Sequence, residues 1–468
     1  MSSANPSIVW LRRDLRLSDQ AAFAAAASGG EPVIPVYVLD DETSGERKLG
    51  GASRWWLHHS LKSLASSLEE KGSRLIFRKG AAAKVLASLA EETGASAVHA
   101  LRHYEPWWRE AEDALADALP EGCALCLHDG NYLLPPGTVT TGSGDPYKIY
   151  TPFWRSAKEK MPPAEPTPRP QKIAAPGSWP DSDDLADWSL LPTDPDWAGG
   201  FREEWEPGED GADKRLRAFA RVAASYESQR NLPSDDETSR LSPHLHWGEI
   251  SPAKVWHAVS DAGGSVGTFL GELGWRDYAQ NVILQMPDYG EKNARDRFDK
   301  LQWRNPNRGH LIAEDLKAWQ KGRTGYPIVD AGMRQLWATG WMHNRVRMIA
   351  ASFLIKHLLI DWREGEAWFW DTLVDADYGA NSTNWQWVAG TGVDSNMFSR
   401  IMAPLSQSEK FDAAEYIREW VPELADLSDE DIHDPPEDKR PSDYPEKLIG
   451  HKEARERALD AYSEVKGT

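Results

Sequence analysis

Two cysteines in 468 residues, Cys123 and Cys126, leave this chain without a disulfide framework. Their C-x-x-C spacing falls on an expected strand, where alternation sends the two side chains to opposite faces, and no second pair exists to complete a tetrahedral metal site. Both read as structural thiols. Long apolar runs are missing too: nothing approaches a membrane span, and the opening MSSANPSIVWLRRDLRL has neither the apolar region nor the cleavage site of a secretory signal. A cytoplasmic, monomeric protein with no membrane partner is the expectation. Positive charge is scarce, with 53 Lys and Arg against 73 Asp and Glu and a formal net charge of -20. That balance argues against a general nucleic-acid binder, whose footprint is basic. It leaves room for a local basic cleft, because charge is felt over about 8 Å at physiological salt. An acidic protein with one positive face is the form such binding would take.

Tryptophan, by contrast, is abundant: 23 residues, many of them beyond Trp275. Indoles fill cores, but they also stack on bases and pass electrons between rings. The length allows two or three domains. Short apolar, often β-branched runs at 8–11, 33–39, 74–78, 97–101 and 124–128 alternate with helical patterns at 53–71, 81–93 and 107–119. Such alternation predicts a Rossmann-like α/β layer around a parallel sheet over residues 1–135. The dinucleotide fingerprint G-x-G-x-x-G is absent; Arg12-Arg13-Asp14-Leu15-Arg16 follows the first strand instead. Residues 136–211, rich in proline and acids from 161 onward, suit an extended connector. The remainder, 212–468, is expected to be an all-α domain and the seat of the chemistry.

Two stretches carry that chemistry. In residues 325–387 the apolar positions Leu336, Trp337, Val346, Ile349, Phe353 and Leu354 recur at buried-helix spacing. Asn344, Arg347 and Met348 share another face. A buried guanidinium needs an anion, and the loop acids Asp375 and Asp377 are the candidates; a solvated Arg on a surface helix is the plain alternative. In the other stretch, Gly271-Glu272-Leu273-Gly274-Trp275-Arg276, the acid, the indole and the cation fall at i, i+3 and i+4 on one helix face. Upstream, Ser242-Pro243 has the form of a helix cap, and Thr238, Ser239 and Arg240 are suited to clasping a pyrophosphate, or serve only as the cap.

Trp341-Met342-His343-Asn344-Arg345, Asp361-Trp362-Arg363, Asp375-Ala376-Asp377 and Asn384-Trp385-Gln386-Trp387, in that order and spacing, resemble the DNA photolyase/cryptochrome family over nearly the whole chain. The resemblance implies an FAD site with Tyr226, Thr238, Ser239, Arg240, Leu241 and Ser242 at its phosphates and adenine end. Phe269, Arg276, Asn344, Arg347, Asp375, Asp377 and Asn381 would line the rest, with Asn381 facing flavin N5. Trp385, Trp362 and Trp303 match the family's electron-conducting row. The opening domain is similar to the antenna domain; Glu105 matches a folate-binding position, which favours methenyltetrahydrofolate over a deazaflavin as second chromophore.

The implied substrate is UV-damaged DNA. A cyclobutane pyrimidine dimer, flipped from the duplex, would lie in a slot between Trp275 and Trp341, with Glu272 hydrogen-bonding it. Asn344, Met348, Arg230, Arg345, Lys410 and Gln407 would make further contacts. Excited reduced FAD would give the dimer an electron and take it back after the ring bonds split. The rival readings are a cryptochrome-type blue-light photoreceptor and a (6-4) photoproduct photolyase. The presence of Glu272, Trp275 and Asn381, and an end 58 residues after Lys410 without a long disordered tail, favour repair over the first. The lack of a recognisable His pair disfavours the second. One departure stands out: residues 393–404 differ from the family's commoner DNA-facing loop.

Overall fold

The computed structural model of the protein describes residues 5–395, 398 and 400–466. Five short apolar segments form strands: β1 Ser7–Leu11, β2 Val33–Leu39, β3 Ile76–Lys79, β4 Ala97–Leu101 and β5 Ala124–His128. All pair in parallel in the order β3-β2-β1-β4-β5, with Ser7 opposite both Val33 and Ala97. Parallel neighbours need crossovers, and helices Ala21–Ala27, Gly51–Glu69, Ala82–Thr93 and Pro106–Ala118 supply them. β1 and β2 are buried along their whole length, which is why they read as continuous apolar runs rather than alternating ones. On one face Trp10, Val36, Val98 and Ala100 pack with Leu86, Leu89 and Leu115. The predicted Rossmann-like layer is present, and β3 alone starts later than the pattern suggested.

The basic stretch after β1 is buried rather than presented to a ligand. Arg12 pairs with Glu112 at 2.7 Å, Arg13 pairs with Glu105, and Arg16 donates to Asn131 Oδ1 and the carbonyl of Gly248, each at 2.9 Å. Buried guanidinium groups are tolerated when their donors are used in this way. The stretch therefore acts as a clamp, tying the strand end to distant segments.

The chain divides into two compact units. One comprises Met1–Asp196, Trp205–Ala224 and Ser239–Pro287; the other comprises Trp197–Glu204, Ser225–Thr238 and Asp288–Thr468. Helices Glu209–Ala220, Ser242–His246 and Gly267–Gln285 thus belong with the α/β layer. Residues 150–158, within the stretch expected as connector, are a helix, Tyr150–Lys158. In the second unit the described residues are helical apart from short 3-10 turns, loops and one isolated parallel bridge, Arg304 to Ile360.

The apolar repeat at 334–359 proves to be two helices. Pro327–Thr339 ends at Gly340, whose φ of +70° suits glycine, and a Cβ there would lie 2.7 Å from Phe201 and Val374. Helix Asn344–Ser352 then starts under a cap from the His343 side chain and runs into a π-helical turn, Phe353–His357. Trp337, on the first of these helices, stacks on Trp368. It is 54% exposed, against the expectation that it belongs to the core.

Candidate functional site

In the first unit, helix Gly267–Gln285 carries Glu272, Trp275 and Arg276, all half-buried. Its glycines make this possible. A Cβ on Gly274 would meet Trp154 at 2.4 Å, and one on Gly271 would meet the Tyr150 hydroxyl at 3.4 Å, so helix Tyr150–Lys158 docks closely on that side. Arg276 lies 4.5 Å from the Tyr132 ring centroid and donates to the carbonyls of Asn131 and Leu245. Behind it, burial raises the Asp277 pKa to about 7, although the amides of Leu133 and Leu134 and the Arg276 charge all oppose this. Phe269 is buried against Phe219, with centroids 4.5 Å apart.

The hydroxyl run upstream departs from its expected form. The helix begins at Ser242 itself, with Leu241 at the cap position and no side-chain cap, and it is only five residues long. Arg240 adopts a left-handed φ of +47°, uncommon for a residue other than glycine. Ser239 Oγ accepts from the Leu241 amide at 3.3 Å. Ser239 and Arg240 are half-buried, Ser242 is exposed, and Tyr226 and Thr238 fall in segments of the second unit.

Glu105 is fully buried and its carboxylate is engaged by Arg13. It stands at the N-cap of helix Pro106–Ala118 but makes no side-chain cap bond. A ligand would find no open edge on it in this arrangement.

In the second unit, Arg347 is half-buried and forms the expected ion pair. Its two terminal nitrogens donate to the Asp375 carboxylate at 3.1 and 3.0 Å, and Nε donates to the Met342 carbonyl at 2.7 Å. Its guanidinium also lies 6.0 Å from the ring centroid of Trp341, which is buried. Asp377 caps helix Tyr378–Ala389 by accepting from the Ala380 amide at 2.7 Å. Asn344 is exposed at the start of its helix, and Met348 is half-buried one turn on.

Asn381 is held with particular definition. Its Nδ2 donates to the Glu366 carbonyl at 3.0 Å and to the Glu366 carboxylate at 2.9 Å. Two acceptors facing one end of an amide fix which end is NH2. Oδ1 accepts no hydrogen bond from any described residue and is not among the buried unpartnered atoms, so it is the free acceptor of the site. Such an acceptor fits an N–H donor, as a reduced flavin ring presents. Glu366 carries no sequence signal of this role, since it lies fifteen residues away on another helix.

Trp303, Trp362 and Trp385 sit on neighbouring segments. Trp362 starts helix Trp362–Thr372, is fully buried, and donates to Asn293 at 2.9 Å. One turn on, Gly365 leaves room for Trp385, whose Cη2 would lie 2.1 Å from a Cβ there. Trp303, half-buried, packs near Phe398, and the Arg304–Ile360 bridge holds it beside the segment leading into Trp362.

A group of cations gathers in the same unit. Arg345 donates to Asn231 and lies 4.7 Å from the Phe411 ring centroid, while Lys410 approaches the same ring at 5.3 Å. Burial first, and then the charges of Arg230 and Arg400, pull the Arg345 pKa below its ordinary value. Arg345, Arg400 and Lys410 make no ion pair among the described residues. In a chain of net charge -20 this is a local positive patch. Gln407 is half-buried on helix Pro404–Lys410. Of the divergent loop at 393–404, residues 396, 397 and 399 lie outside the described residues.

An oriented acceptor, a bidentate Arg–Asp pair and indoles on neighbouring segments define a class: a protein that holds a redox cofactor near oxidisable rings. The chain belongs to the DNA photolyase family. Residues 7–171 match the DNA photolyase profile, and residues 269–464 match the FAD binding domain of DNA photolyase. The chain is similar to a deoxyribodipyrimidine photo-lyase of Agrobacterium fabrum, at 48% identity over 99% of this chain and 98% of that one. It is also similar to cryptochrome-1 of Arabidopsis thaliana, at 36% identity over 99% of this chain and 71% of the relative. The crystal structure of a bacterial class III photolyase from Agrobacterium tumefaciens superimposes with a TM-score of 0.94, at 47% identity and full coverage of both chains.

Proposed function

We propose that this chain is a light-driven lyase that splits cyclobutane pyrimidine dimers in UV-damaged DNA, with FAD as its cofactor. The observation that carries the reading is the pairing of Glu272 and Trp275 on one side of helix Gly267–Gln285, half-buried beside Gly271 and Gly274, which seat another helix. A carboxyl next to an indole plane is suited to a flipped pyrimidine dimer: the indole stacks, at roughly 1–3 kcal/mol per base, and the carboxyl hydrogen-bonds the polar edge. The family resemblance assigns Trp341 as a second stacking residue. The positive patch of Arg230, Arg345 and Lys410 supplies phosphate contacts, with Gln407, Asn344 and Met348 as further contacts. A damaged pair stacks weakly, so flipping selects for it before chemistry begins.

Bound FAD supplies the photochemistry, the transfer of an electron on excitation. Arg347, Asp375, Asp377 and Asn381, with Phe269, Arg276, Tyr226 and residues 238–242, are assigned to hold and orient it. Methenyltetrahydrofolate is the proposed second chromophore; near-ultraviolet absorbance of the purified protein tests this, and a deazaflavin or no second chromophore would give a different spectrum. Because Glu105 is closed by Arg13, replacing Glu105 is not the test.

Reduced protein illuminated with an oligonucleotide containing a thymine dimer should restore the two thymines; an intact dimer would defeat the assignment and favour the photoreceptor reading. Glu272→Ala should weaken binding of the dimer, relative to undamaged strand, by roughly tenfold or more, as a hydrogen bond involving a charged group is worth about 1.5–3 kcal/mol. Asn381→Asp would set a carboxylate against both Glu366 oxygens, which favours its protonated form. The redox form of the flavin that persists under light should therefore change, and Glu366→Gln should largely reverse the change. An identical photoreduction spectrum in all variants would refute this.

A further inference from the structure

We propose that Tyr150 is a positioning residue for the damaged base, acting through Trp275; this rests on the repair reading above. The Tyr150 and Trp275 rings lie face to face, with centroids 3.6 Å apart and planes within 11°. Trp154 continues the stack beyond Tyr150, with planes within 10° and centroids 6.4 Å apart. Among the described residues the only other ring against Trp275 is Tyr278, which meets it edge-on at 5.5 Å. One face of the indole is therefore covered by an aromatic wall, and the opposite face has no ring against it among the described residues.

Two further contacts tie this wall to the acid. The Tyr150 hydroxyl donates to the Gly271 carbonyl at 2.6 Å, immediately before Glu272. Burial, and next the Glu272 charge, raise the Tyr150 pKa, so the hydroxyl stays a donor at neutral pH. Nothing bulkier than glycine fits at position 274 without displacing Trp154. The helix-docking glycines and Tyr150 thus form one device. It fixes the indole plane and the Glu272 backbone before substrate arrives, so that a base stacking on the open face meets a surface whose orientation is already settled. Pre-ordering of this kind acts on affinity for the flipped base and leaves contacts with the DNA backbone alone.

The experiment compares binding of a dimer-containing and an undamaged oligonucleotide by Tyr150→Leu, Tyr150→Phe and unaltered holoprotein. Tyr150→Leu should lose roughly three- to tenfold of the preference for the dimer, the scale of one lost aromatic pair, with undamaged binding and flavin absorbance unchanged. Tyr150→Phe keeps the stack and should retain most of the preference. Where Tyr150→Leu fails to fold, Tyr150→His, a smaller ring in the same place, reads the same ratio. Full preference in Tyr150→Leu, or equal loss for both oligonucleotides, overturns the proposal while leaving repair intact. A Phe variant as impaired as the Leu variant overturns the stacking assignment. Unaltered protein that binds both strands alike overturns the repair reading and this proposal together.

Discussion

Trp385→Phe should abolish light-driven reduction of oxidised flavin while leaving repair by chemically reduced protein. Trp385 is 2% exposed and wedged edge-on between Phe369, at 5.0 Å, and Trp319, at 6.3 Å, with its six-membered ring over Gly365. Phenylalanine is smaller and much harder to oxidise, so the substitution removes an electron donor while keeping an aromatic ring in the core. The stability cost should fall below the ~3–5 kcal/mol of a Trp→Ala truncation, and the variant should fold. Gly365→Ala probes the same contact from the other side. Its new methyl group collides with the indole, so Trp385 must shift, and photoreduction should slow rather than vanish. Trp362→Phe should match Trp385→Phe, whereas Trp319, which meets Trp385 edge-on and donates to the Ala350 carbonyl, is not in the row that the family resemblance matches, and Trp319→Phe should leave reduction nearly intact. Absorbance of the oxidised flavin under continuous light reads all four. Unimpaired reduction in Trp385→Phe would show that electrons enter by another route.

The α/β layer was legible because each parallel strand is a bare apolar run and each crossover helix a plain amphipathic one. The Arg347–Asp375 pair was legible for a different reason: a charge on an oily helix has to be neutralised, and the Asp375–Asp377 loop offered two acids close together. The break at 340 was misread although its signals were present, a glycine at the C-cap position and His343 before Asn344. Hydrophobic spacing continued across the gap and outweighed them, which is why Trp337 was placed inside. The seating of Trp154 on Gly274 and the hold of Glu366 on Asn381 had no local signal at all. Both join residues far apart in sequence whose types are unremarkable alone, and only packing reveals them. The Arg12–Arg16 stretch was noted for its charge, yet its partners Glu112, Glu105 and Asn131 are more than ninety residues away.

Arg347→Met should be the most destabilising of the single substitutions in the flavin region, and a second change tells what the pair is for. The Asp375 side chain is 4% exposed, and Arg347 satisfies both of its oxygens. Removing one partner of a buried pair strands the other, at about 3–5 kcal/mol. The guanidinium side chain is 24% exposed, so water can reach the vacated position and the cost should lie toward the lower end. Cation contact with Trp341 and the Met342 carbonyl is lost as well. Replacing both members, Arg347→Met with Asp375→Leu, removes the stranded charge and should recover most of the stability, as apolar substitutes for buried pairs often do. Flavin retention should not recover if the pair orients the cofactor. Denaturant unfolding gives the first quantity and flavin absorbance per protein the second, measured together because losing a ligand itself lowers apparent stability. Recovery of both would make the pair a structural brace; recovery of stability alone assigns it to the cofactor, since no packing argument makes a refolded, well-filled core reject a ligand it does not touch.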